Sequence, residues 1–244
     1  MRLIYMGTPE FAVPPLLALM ESNHEIVAVV TQPDKPVGRK KTLTPPPVKV
    51  AALERGIPVL QPNSARSAAF HGQVRELAPE AVGYAAYGKI LPQAFLDLPP
   101  HGCLNVHASL LPKYRGAAPI QWAVMNGETV TGVSIMRAEA GLDTGPVLLR
   151  AEEPIRPDDT AGTLSERLSQ LGARLLVEAM DAVEAETAVY TPQNDAEATH
   201  APLLTVEVAR MDWTRSAEGL RNQVRGLNPK PGAVTAYGGR EVKV

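Results

Sequence analysis

The sequence predicts an α/β fold, a doubly wound and mostly parallel sheet, and three observations at its start carry this prediction. Two apolar, strand-like runs occupy residues 2–6 and 25–31. Between them, Phe11, Leu16 and Met20 recur at a spacing that suits a helix packed on a sheet. Strand, helix and strand at this distance form a βαβ unit, whose two strands run parallel.

The remaining pattern extends this unit along the chain. Residues 32–47 are a proline-rich loop, and Thr163 with Glu166 has the spacing of a capping box at the start of a long helix. Further strands are expected near 57–60, 80–86, 102–108, 130–137, 146–154 and 233–244, and helices near 48–55, 65–77, 117–126, 160–184 and 215–226.

Three regions follow from these elements: a main domain at 1–186, a linker at 187–209 and a new unit at 210–244. The linker has weak periodicity and contains two prolines. A lone hairpin is rarely stable in water, so the last unit must pack on the main domain or belong to a longer parent chain.

Composition places few limits on function. The 244 residues are 45% hydrophobic and 20% charged, as in an ordinary soluble globular protein, with a net charge of −2. Residues 205–244 nevertheless carry seven basic and four acidic residues. This excess of positive charge fits a surface that binds a polyanion, and it also fits an ordinary solvated surface. Charge alone slightly favours the solvated surface.

The single cysteine, Cys103, excludes an internal disulfide and indicates a reducing compartment. Its position four residues before His107 suggests a nucleophile, but a buried apolar role is favoured because the two side chains lie well apart along a strand. No signal peptide or membrane span is recognisable, so a cytoplasmic location without membrane association is expected. The five histidines lack metal-ligand spacing, and no metal is expected.

The turn after the first strand argues against dinucleotide binding. It contains one glycine, Gly7, where a phosphate-binding turn of this type has three. Glu10 near the start of the following helix would also repel a pyrophosphate.

Asn105, His107 and Asp143 form the strongest candidate for a catalytic site. Alternate residues of a strand face the same side, so Asn105 and His107 can share a pocket. An imidazole can accept a proton, an amide can donate to a developing oxyanion, and Asp143 would orient the ring and favour its charged form. The set suits attack by an amine or water on an acyl carbon. A core histidine and a turn-capping asparagine are the alternative, which the surrounding glycine-rich polar sequence weakens.

Two further features remain open between functional and structural interpretations. Ser109 lies near His107, but without a nucleophile-elbow motif it is better explained as a turn-forming hydroxyl or a ligand contact. The basic tip of the proline-rich loop, Arg39 with Lys40 and Lys41, fits a phosphate-gripping arm and a solvated loop equally well.

Several of these segments, in order, resemble the 10-formyltetrahydrofolate-dependent formyltransferases. The combination of TQPDKPVGR at 31–39 with RGAAPIQ at 115–121 points within that group to the methionyl-tRNA formyltransferases. The matching segments are MRLIYMGTPEFAVPPL (1–16), TQPDKPVGR (31–39), AAYGKILP (85–92), GCLNVHASLLPKYRGAAPIQ (102–121), GLDTG (141–145), DDTAGTL (158–164) and NPKPGA (228–233).

The resemblance implies a formyltransferase domain followed by the start of a small C-terminal β-barrel, most of which is expected to be missing. It implies transfer of a formyl group from 10-formyltetrahydrofolate to the α-amino group of methionyl initiator tRNA, by a monomer without a metal. Asn105, His107 and Asp143 match the catalytic trio. The implied contacts are Ser109, Leu110, Leu111, Pro112, Tyr87, Ile90 and Leu91 with the folate, and Arg39, Lys40 and Lys41 with the tRNA. Where the family usually has a glycine after that arginine, this chain has Lys40.

Three alternatives to this function stay open at the level of sequence. An amino-sugar formyltransferase and a hydrolase of 10-formyltetrahydrofolate keep the chemistry and change the acceptor, and the basic loop argues against both. A folate-binding or tRNA-binding module without turnover is the third.

Overall fold

A computed structural model describes residues 1–38 and 40–244 of the chain. The strands are β1 (Arg2–Gly7), β2 (Glu25–Val30), β3 (Lys35–Val37), β4 (Thr42–Thr44), β5 (Val59–Leu60), β6 (Ala81–Ala85), β7 (Cys103–His107), β8 (Arg115–Gly116), β9 (Val130–Arg137), β10 (Val147–Pro154), β11 (His200–Ala201), β12 (Val234–Tyr237) and β13 (Arg240–Lys243). The helices are α1 (Val13–Met20), α2 (Pro47–Glu54), α3 (Ala68–Leu77), α4 (Gln93–Leu96), α5 (Pro119–Met125), α6 (Ala161–Glu184), α7 (Val206–Ala209) and α8 (Ala217–Leu227), with short 3₁₀ turns at Glu10–Ala12 and Asp195–Glu197.

A seven-stranded sheet in the order β10-β9-β7-β6-β1-β2-β5 organises the fold. The pairs among β5, β2, β1, β6 and β7 are parallel, whereas β9 pairs antiparallel with both β7 and β10. After β1 the chain proceeds to β2 on one side and later returns to β6 on the other, so the winding reverses at β1. The predicted fold class is confirmed.

Side-chain alternation along β1 builds a core on each face of this sheet. Leu3 and Tyr5 belong to the larger cluster, which includes α1 and α6, and Ile4 and Met6 belong to the cluster on the opposite face. All four are fully buried. A strand buried on both faces reads as a continuous apolar run, which is the pattern seen at residues 2–6.

Helix α6 supports the sheet near the candidate site. Its apolar stripe, which includes Leu164 and Leu168, is buried as the sequence predicts. The predicted capping box was placed wrongly: Thr160 is the N-cap, its hydroxyl accepts from the amide of Thr163, and the Thr163 hydroxyl accepts in return from the amide of Thr160. Glu166 takes no part in this cap, because the helix begins three residues earlier than Thr163 implied. Of the helices in the described part of the chain, none combines the length and apolarity needed to cross a membrane.

The proline-rich segment contains a short hairpin, β3 paired with β4, where the sequence predicted an irregular loop. Every residue of both strands is exposed, so the hairpin has no apolar alternation from which to predict it. Its base is fixed to the loop that follows β6, since the side chain of Gln32 donates to the carbonyl of Tyr87 at 2.9 Å. The ion pair between Lys49 and Asp34, at 2.8 Å, holds the same base.

The unit at 210–244 packs on the main domain through α8. Leu220 and Leu227 of α8 join a buried cluster with Met125 of α5. Gly226 lies so close to α5 that an added Cβ would overlap Met125, which explains a glycine in the middle of this contact. The hairpin β12–β13 then extends from this base with most of its residues exposed.

The buried residue Asp159 ties the start of α6 to α8 through its side chain and its backbone carbonyl. Arg167 contacts both of its oxygens at 2.7 Å, and the Arg156 amide donates to it at 2.7 Å. The Asp159 carbonyl in turn accepts from the guanidinium of Arg225 at 2.7 Å. Hydrogen bonding to Arg167 holds the pKa of Asp159 well below its usual range.

Replacing Asp159 by Asn is therefore expected to lower the free energy of unfolding at pH 7 by about 3 kcal/mol, the cost of breaking a buried ion pair. A carboxylate with a depressed pKa stabilises the fold above its unfolded-state value of about 4 and loses this effect as the pH falls below it. Urea unfolding at pH 7 measures the loss of stability in the variant. The same measurement near pH 3 shows how far the difference from wild type decreases in acid. Asp158→Asn, at the exposed neighbouring carboxylate, is the matched control; equal stability of the two variants at pH 7 would contradict the assignment.

Candidate active site

A cleft with a volume of about 980 Å³ opens at the carboxyl ends of β6 and β7. It lies next to β1, where the sheet reverses its winding, which is the usual binding position in open α/β sheets. Phe11, Tyr84 and Ile120 contribute to its largely apolar wall, and residues from the turn between β9 and β10 contribute the opposite rim.

Asn105 and His107 both line this cleft from β7. They are 7% and 5% exposed, and the residue between them, Val106, continues the strand. The period of two in a strand is what brings the amide and the imidazole to one face. The pocket that the sequence predicted for these two residues is therefore present in the structure.

The imidazole of His107 is hydrogen-bonded at one nitrogen and faces a carboxylate at the other. Nε2 lies 2.9 Å from the backbone carbonyl of Tyr114, and Nδ1 lies 3.7 Å from Oδ2 of Asp143. A carbonyl oxygen only accepts hydrogen bonds, so Nε2 carries a proton. Nδ1 is consequently the nitrogen that can take up a proton, and the carboxylate beside it would stabilise the resulting imidazolium.

Asp143 reaches this position on the tight turn between β9 and β10. Its φ is 53°, in the left-handed region, and its Oδ2 accepts from the amide of Gly116 at 2.9 Å. Gly145 packs directly against the carbonyl of Arg137, so any side chain there would collide with the backbone. The last position of the GLDTG turn therefore requires a glycine.

Two residues that the sequence analysis did not single out complete the polar surroundings of Asp143. The side-chain amide of Gln193 donates to the carbonyls of Asp143 and Gly145 at 2.8 and 2.7 Å. The guanidinium of Arg115 donates to the Gln193 side-chain oxygen at 3.0 Å and pairs with Asp195 at 2.7 Å. The spacing along the chain carries no signal for these contacts, because two of them end on backbone carbonyls.

The residues expected to contact a folate fall into two groups. Tyr87, Ile90 and Leu91 line the cleft. The segment Ser109–Pro112 instead forms the turn below His107: the Ser109 hydroxyl donates to the Lys113 carbonyl at 2.6 Å, and Leu111 is buried. A turn-forming hydroxyl, one of the two roles considered for Ser109, is what the structure has, and these four residues do not form the cleft wall.

Burial raises the pKa of three groups on or next to β6 and β7. It raises the pKa of Tyr87 to about 12, and the pKa of Tyr84 is raised by burial and then by the nearby Cys103 and Asp143. Cys103 is 1% exposed, and burial raises the pKa of its thiol to about 12. A neutral, inaccessible thiol is a poor nucleophile, so the predicted apolar role of Cys103 is confirmed.

Two of the predicted tRNA contacts lie between the strands of the hairpin β3–β4. Lys40 and Lys41 are exposed at its turn, and Lys41 adopts a left-handed φ of 48°. Arg39 lies outside the described residues. The interpretation of this tip as a phosphate-binding arm stays a prediction.

One cluster away from the cleft lining has the donor atoms for a cation. His24, Asp181 and Glu184 each offer a ligand atom, and these atoms lie within 4.8 Å of one another. The N-terminal amino group and Asp181 already contact the ring of His24, at 3.3 and 3.2 Å. The cluster is thus accounted for by ion pairing, and the expectation of a chain without a metal stays a prediction.

Comparison with known proteins places this site in a family. Residues 1–180 match the model for formyl transferase, and residues 203–244 match the model for the formyl transferase C-terminal domain. A methionyl-tRNA formyltransferase from Acetivibrio thermocellus is 52% identical over 244 residues, which cover 100% of this chain and 78% of that protein.

Solved structures show the same fold at low identity. The sugar 3N-formyl transferase WlaRD, crystallised in the presence of dTDP and 5-N-formyl-THF, has a TM-score of 0.75 at 16% identity over 99% of this chain and 84% of its own. HypX from Aquifex aeolicus in complex with tetrahydrofolic acid has a TM-score of 0.72 at 18% identity, over 100% of this chain and 37% of its own.

The chain is thus an α/β formyltransferase with its polar trio at the carboxyl edge of the sheet. Within that class it belongs to the methionyl-tRNA formyltransferase family, as the resemblance of its motifs predicted.

Proposed function

We propose that the chain transfers the formyl group of 10-formyltetrahydrofolate to the α-amino group of methionyl initiator tRNA. The observation that carries this proposal is the arrangement of Nδ1 of His107 and Oδ2 of Asp143, 3.7 Å apart, beside Asn105 at the base of one cleft. Identity of 52% to a methionyl-tRNA formyltransferase supports the choice of acceptor.

The reaction needs a proton acceptor for the attacking amine. As the amine nitrogen bonds to the formyl carbon, it becomes positively charged and must lose a proton. In this proposal Nδ1 of His107 takes the proton, since Nε2 is already hydrogen-bonded to the Tyr114 carbonyl at 2.9 Å. The carboxylate of Asp143 then stabilises the charged ring.

The formyl oxygen gains negative charge in the same step. The Asn105 side-chain amide lines the cleft next to His107 and supplies a donor for this oxyanion. When the carbonyl re-forms, the bond between the formyl carbon and the folate N10 breaks. The proton held at His107 returns to N10, so the products are tetrahydrofolate and the formylated amine, with His107 neutral again.

The cleft has space and chemistry for both reactants. Its volume of about 980 Å³ is at the upper end of the usual range for ligand pockets, and its wall is mainly apolar. Tyr87, Ile90 and Leu91 provide a surface on which the flat ring system of a folate can pack, at the end of the cleft formed by the β6 loop. The opposite end, beside Leu203 and His200, then remains for the aminoacyl group.

In this proposal Lys40 and Lys41 contact the tRNA backbone. Gln32 fixes the base of their hairpin to Tyr87 on the cleft lining, and both lysines are exposed to solvent. Basic side chains contact phosphates without reading sequence, which suits the acceptor end of a tRNA.

Formyl transfer from 10-formyltetrahydrofolate to charged initiator tRNA is the direct test. We expect tRNA-dependent release of tetrahydrofolate with one formyl group gained by the methionyl amine. We also expect the Lys40→Ala/Lys41→Ala variant to have a KM for tRNA raised about tenfold and a shallower dependence of that KM on salt, at unchanged KM for the folate.

Three results of this assay would contradict the proposal. Release of formate without formylated tRNA would indicate a hydrolase, and transfer to an amino sugar in preference to the tRNA would indicate a sugar formyltransferase. An unchanged KM for tRNA in the double variant would remove the hairpin tip from the tRNA contact. Arg75→Ala, at an exposed arginine of α3 outside the hairpin, is the control for loss of charge alone.

A further inference from the structure

The segment 193–201, expected from sequence to be linker, lies against the catalytic trio at three points. Thr199 accepts from the amide of Tyr114 at 2.8 Å, next to the carbonyl that holds His107. Ala201 accepts from the amides of Ala117 and Ala118, at 2.8 and 3.2 Å. Its strand β11 pairs parallel with β8, which contains the Gly116 amide that Asp143 binds.

Gln193 makes the third contact, on the Asp143 turn itself. Its side-chain amide bridges the carbonyls of Asp143 and Gly145, at 2.8 and 2.7 Å. Both protons of one NH₂ group are thereby used, which fixes the side chain against two points of one tight turn. Its oxygen accepts from Arg115 at 3.0 Å, so the side chain cannot rotate without losing three hydrogen bonds.

The Asp143 turn needs such an external restraint. A non-glycine residue with a φ of 53° costs about 1 kcal/mol relative to ordinary backbone. The Asp143 carboxylate has one direct backbone donor, the Gly116 amide at 2.9 Å, and its contact with Nδ1 of His107 is longer, at 3.7 Å. A small rotation of the turn would therefore change the distance between the carboxylate and the imidazole.

We propose that Gln193 is a positioning residue for formyl transfer: it fixes the turn of Asp143, and Arg115 in turn fixes Gln193. The inference rests on the proposed function, because it assigns Gln193 a role in the same proton transfer. Arg115 is 5% exposed, and its partner Asp195 lies on the surface, so the network runs from the protein surface to the backbone carbonyl of Asp143. Gln193, a residue of the predicted linker, accordingly contributes to the active site.

The test uses Gln193→Glu in the formyl-transfer assay. Glutamate keeps the length of the side chain and an acceptor for Arg115, but it loses both donors and faces two carbonyls with a negative charge. We expect kcat to fall about 30-fold, since a displacement near 1 Å in a catalytic group costs this order of rate. The KM for the folate should change less than threefold. Gln193→Ala should give a smaller loss of kcat in the same direction.

Asn194→Asp is the matched control, because it makes the same amide-to-carboxylate change one residue along and keeps the oxygen that caps Ala196 at 3.2 Å. It should retain wild-type kcat. In an Asp143→Asn background, Gln193→Glu should add less than a twofold loss, because its effect acts through Asp143.

The outcomes separate this inference from the proposed function. If the wild-type chain does not transfer formyl groups, the proposed function fails. If the wild type is active and Gln193→Glu matches it, or if the loss is multiplicative with Asp143→Asn, the positioning role is overturned. If both Gln193 variants melt at a much lower temperature, with activity falling only in proportion to the folded fraction, Gln193 is a structural residue and the inference is likewise overturned.

Discussion

Asp143→Asn is expected to lower kcat/KM for formyl transfer by about 10³-fold while leaving the fold intact. The substitution removes the negative charge that would stabilise a protonated His107. The new amide can also donate to Nδ1, which lies 3.7 Å away, and would occupy the lone pair that the attacking amine needs. Comparable changes at the carboxylate beside a catalytic histidine cost about 10⁴-fold in rate. Steady-state kinetics with charged initiator tRNA measure the loss.

Glu139→Gln provides a matched control for Asp143→Asn. Glu139 is exposed on the same connection between β9 and β10 and also lines the cleft, so its neutralisation changes the charge of the rim and leaves the contact with His107 in place. Its kcat/KM should stay within about threefold of wild type. Retention of more than a tenth of wild-type activity by Asp143→Asn, with a normal melting temperature, would exclude the carboxylate from proton transfer.

Sequence pattern predicts the parts of this fold in which local and tertiary preferences agree. The run at 2–6 is buried on both faces, and the stripe of α6 with Leu164 and Leu168 is buried on one, so hydrophobic period alone identifies β1 and α6. The hairpin β3–β4 has no such period because its residues are all exposed. It forms where the chain is held at its base by Gln32 and Asp34, and these tertiary contacts are invisible in the local sequence.

The same distinction applies to the candidate site. Asn105 and His107 are two residues apart on one strand, so their common direction follows from strand geometry. Asp143 is brought to them by the antiparallel return of β9 and β10, which family motifs indicate and side-chain spacing does not. Gln193 is separated from its partners, Gly145 and Asp143, by 48 and 50 residues and contacts only their backbone. Because a backbone carbonyl is present at every residue, the side chains at these positions do not indicate the contact.

Ser109 and Leu111 lie in the turn that follows β7, and their implied contact with the folate stays a prediction. The run after His107 is dense in features because it must turn sharply below the imidazole. The Ser134 hydroxyl accepts from the Leu111 amide at 3.0 Å and donates to the Ser109 carbonyl at 2.7 Å. These contacts fix the path from β7 to Tyr114, whose carbonyl orients His107. A contribution of this run to folate binding would therefore act through the shape of the cleft floor.

Asn105→Leu is expected to lower kcat by about 10²-fold to 10³-fold, the usual effect of removing one oxyanion donor. Leucine has a similar size and suits a position that is only 7% exposed, so the main loss is the hydrogen bond to the formyl oxygen. Because this oxygen carries its full negative charge only during transfer, the KM for the folate should change by less than about threefold.

Asn105→Asp separates oxyanion stabilisation from simple occupancy of the site. The carboxylate has the shape of the amide but presents a negative charge where the oxyanion forms, next to the charge of Asp143. Its kcat should therefore lie below that of Asn105→Leu. The Kd for tetrahydrofolate, measured by calorimetry, should stay within about threefold of wild type for both variants. If Asn105→Asp were the more active of the two, the formyl oxygen would not be bound by Asn105, and the donor for the oxyanion would have to be the imidazolium of His107.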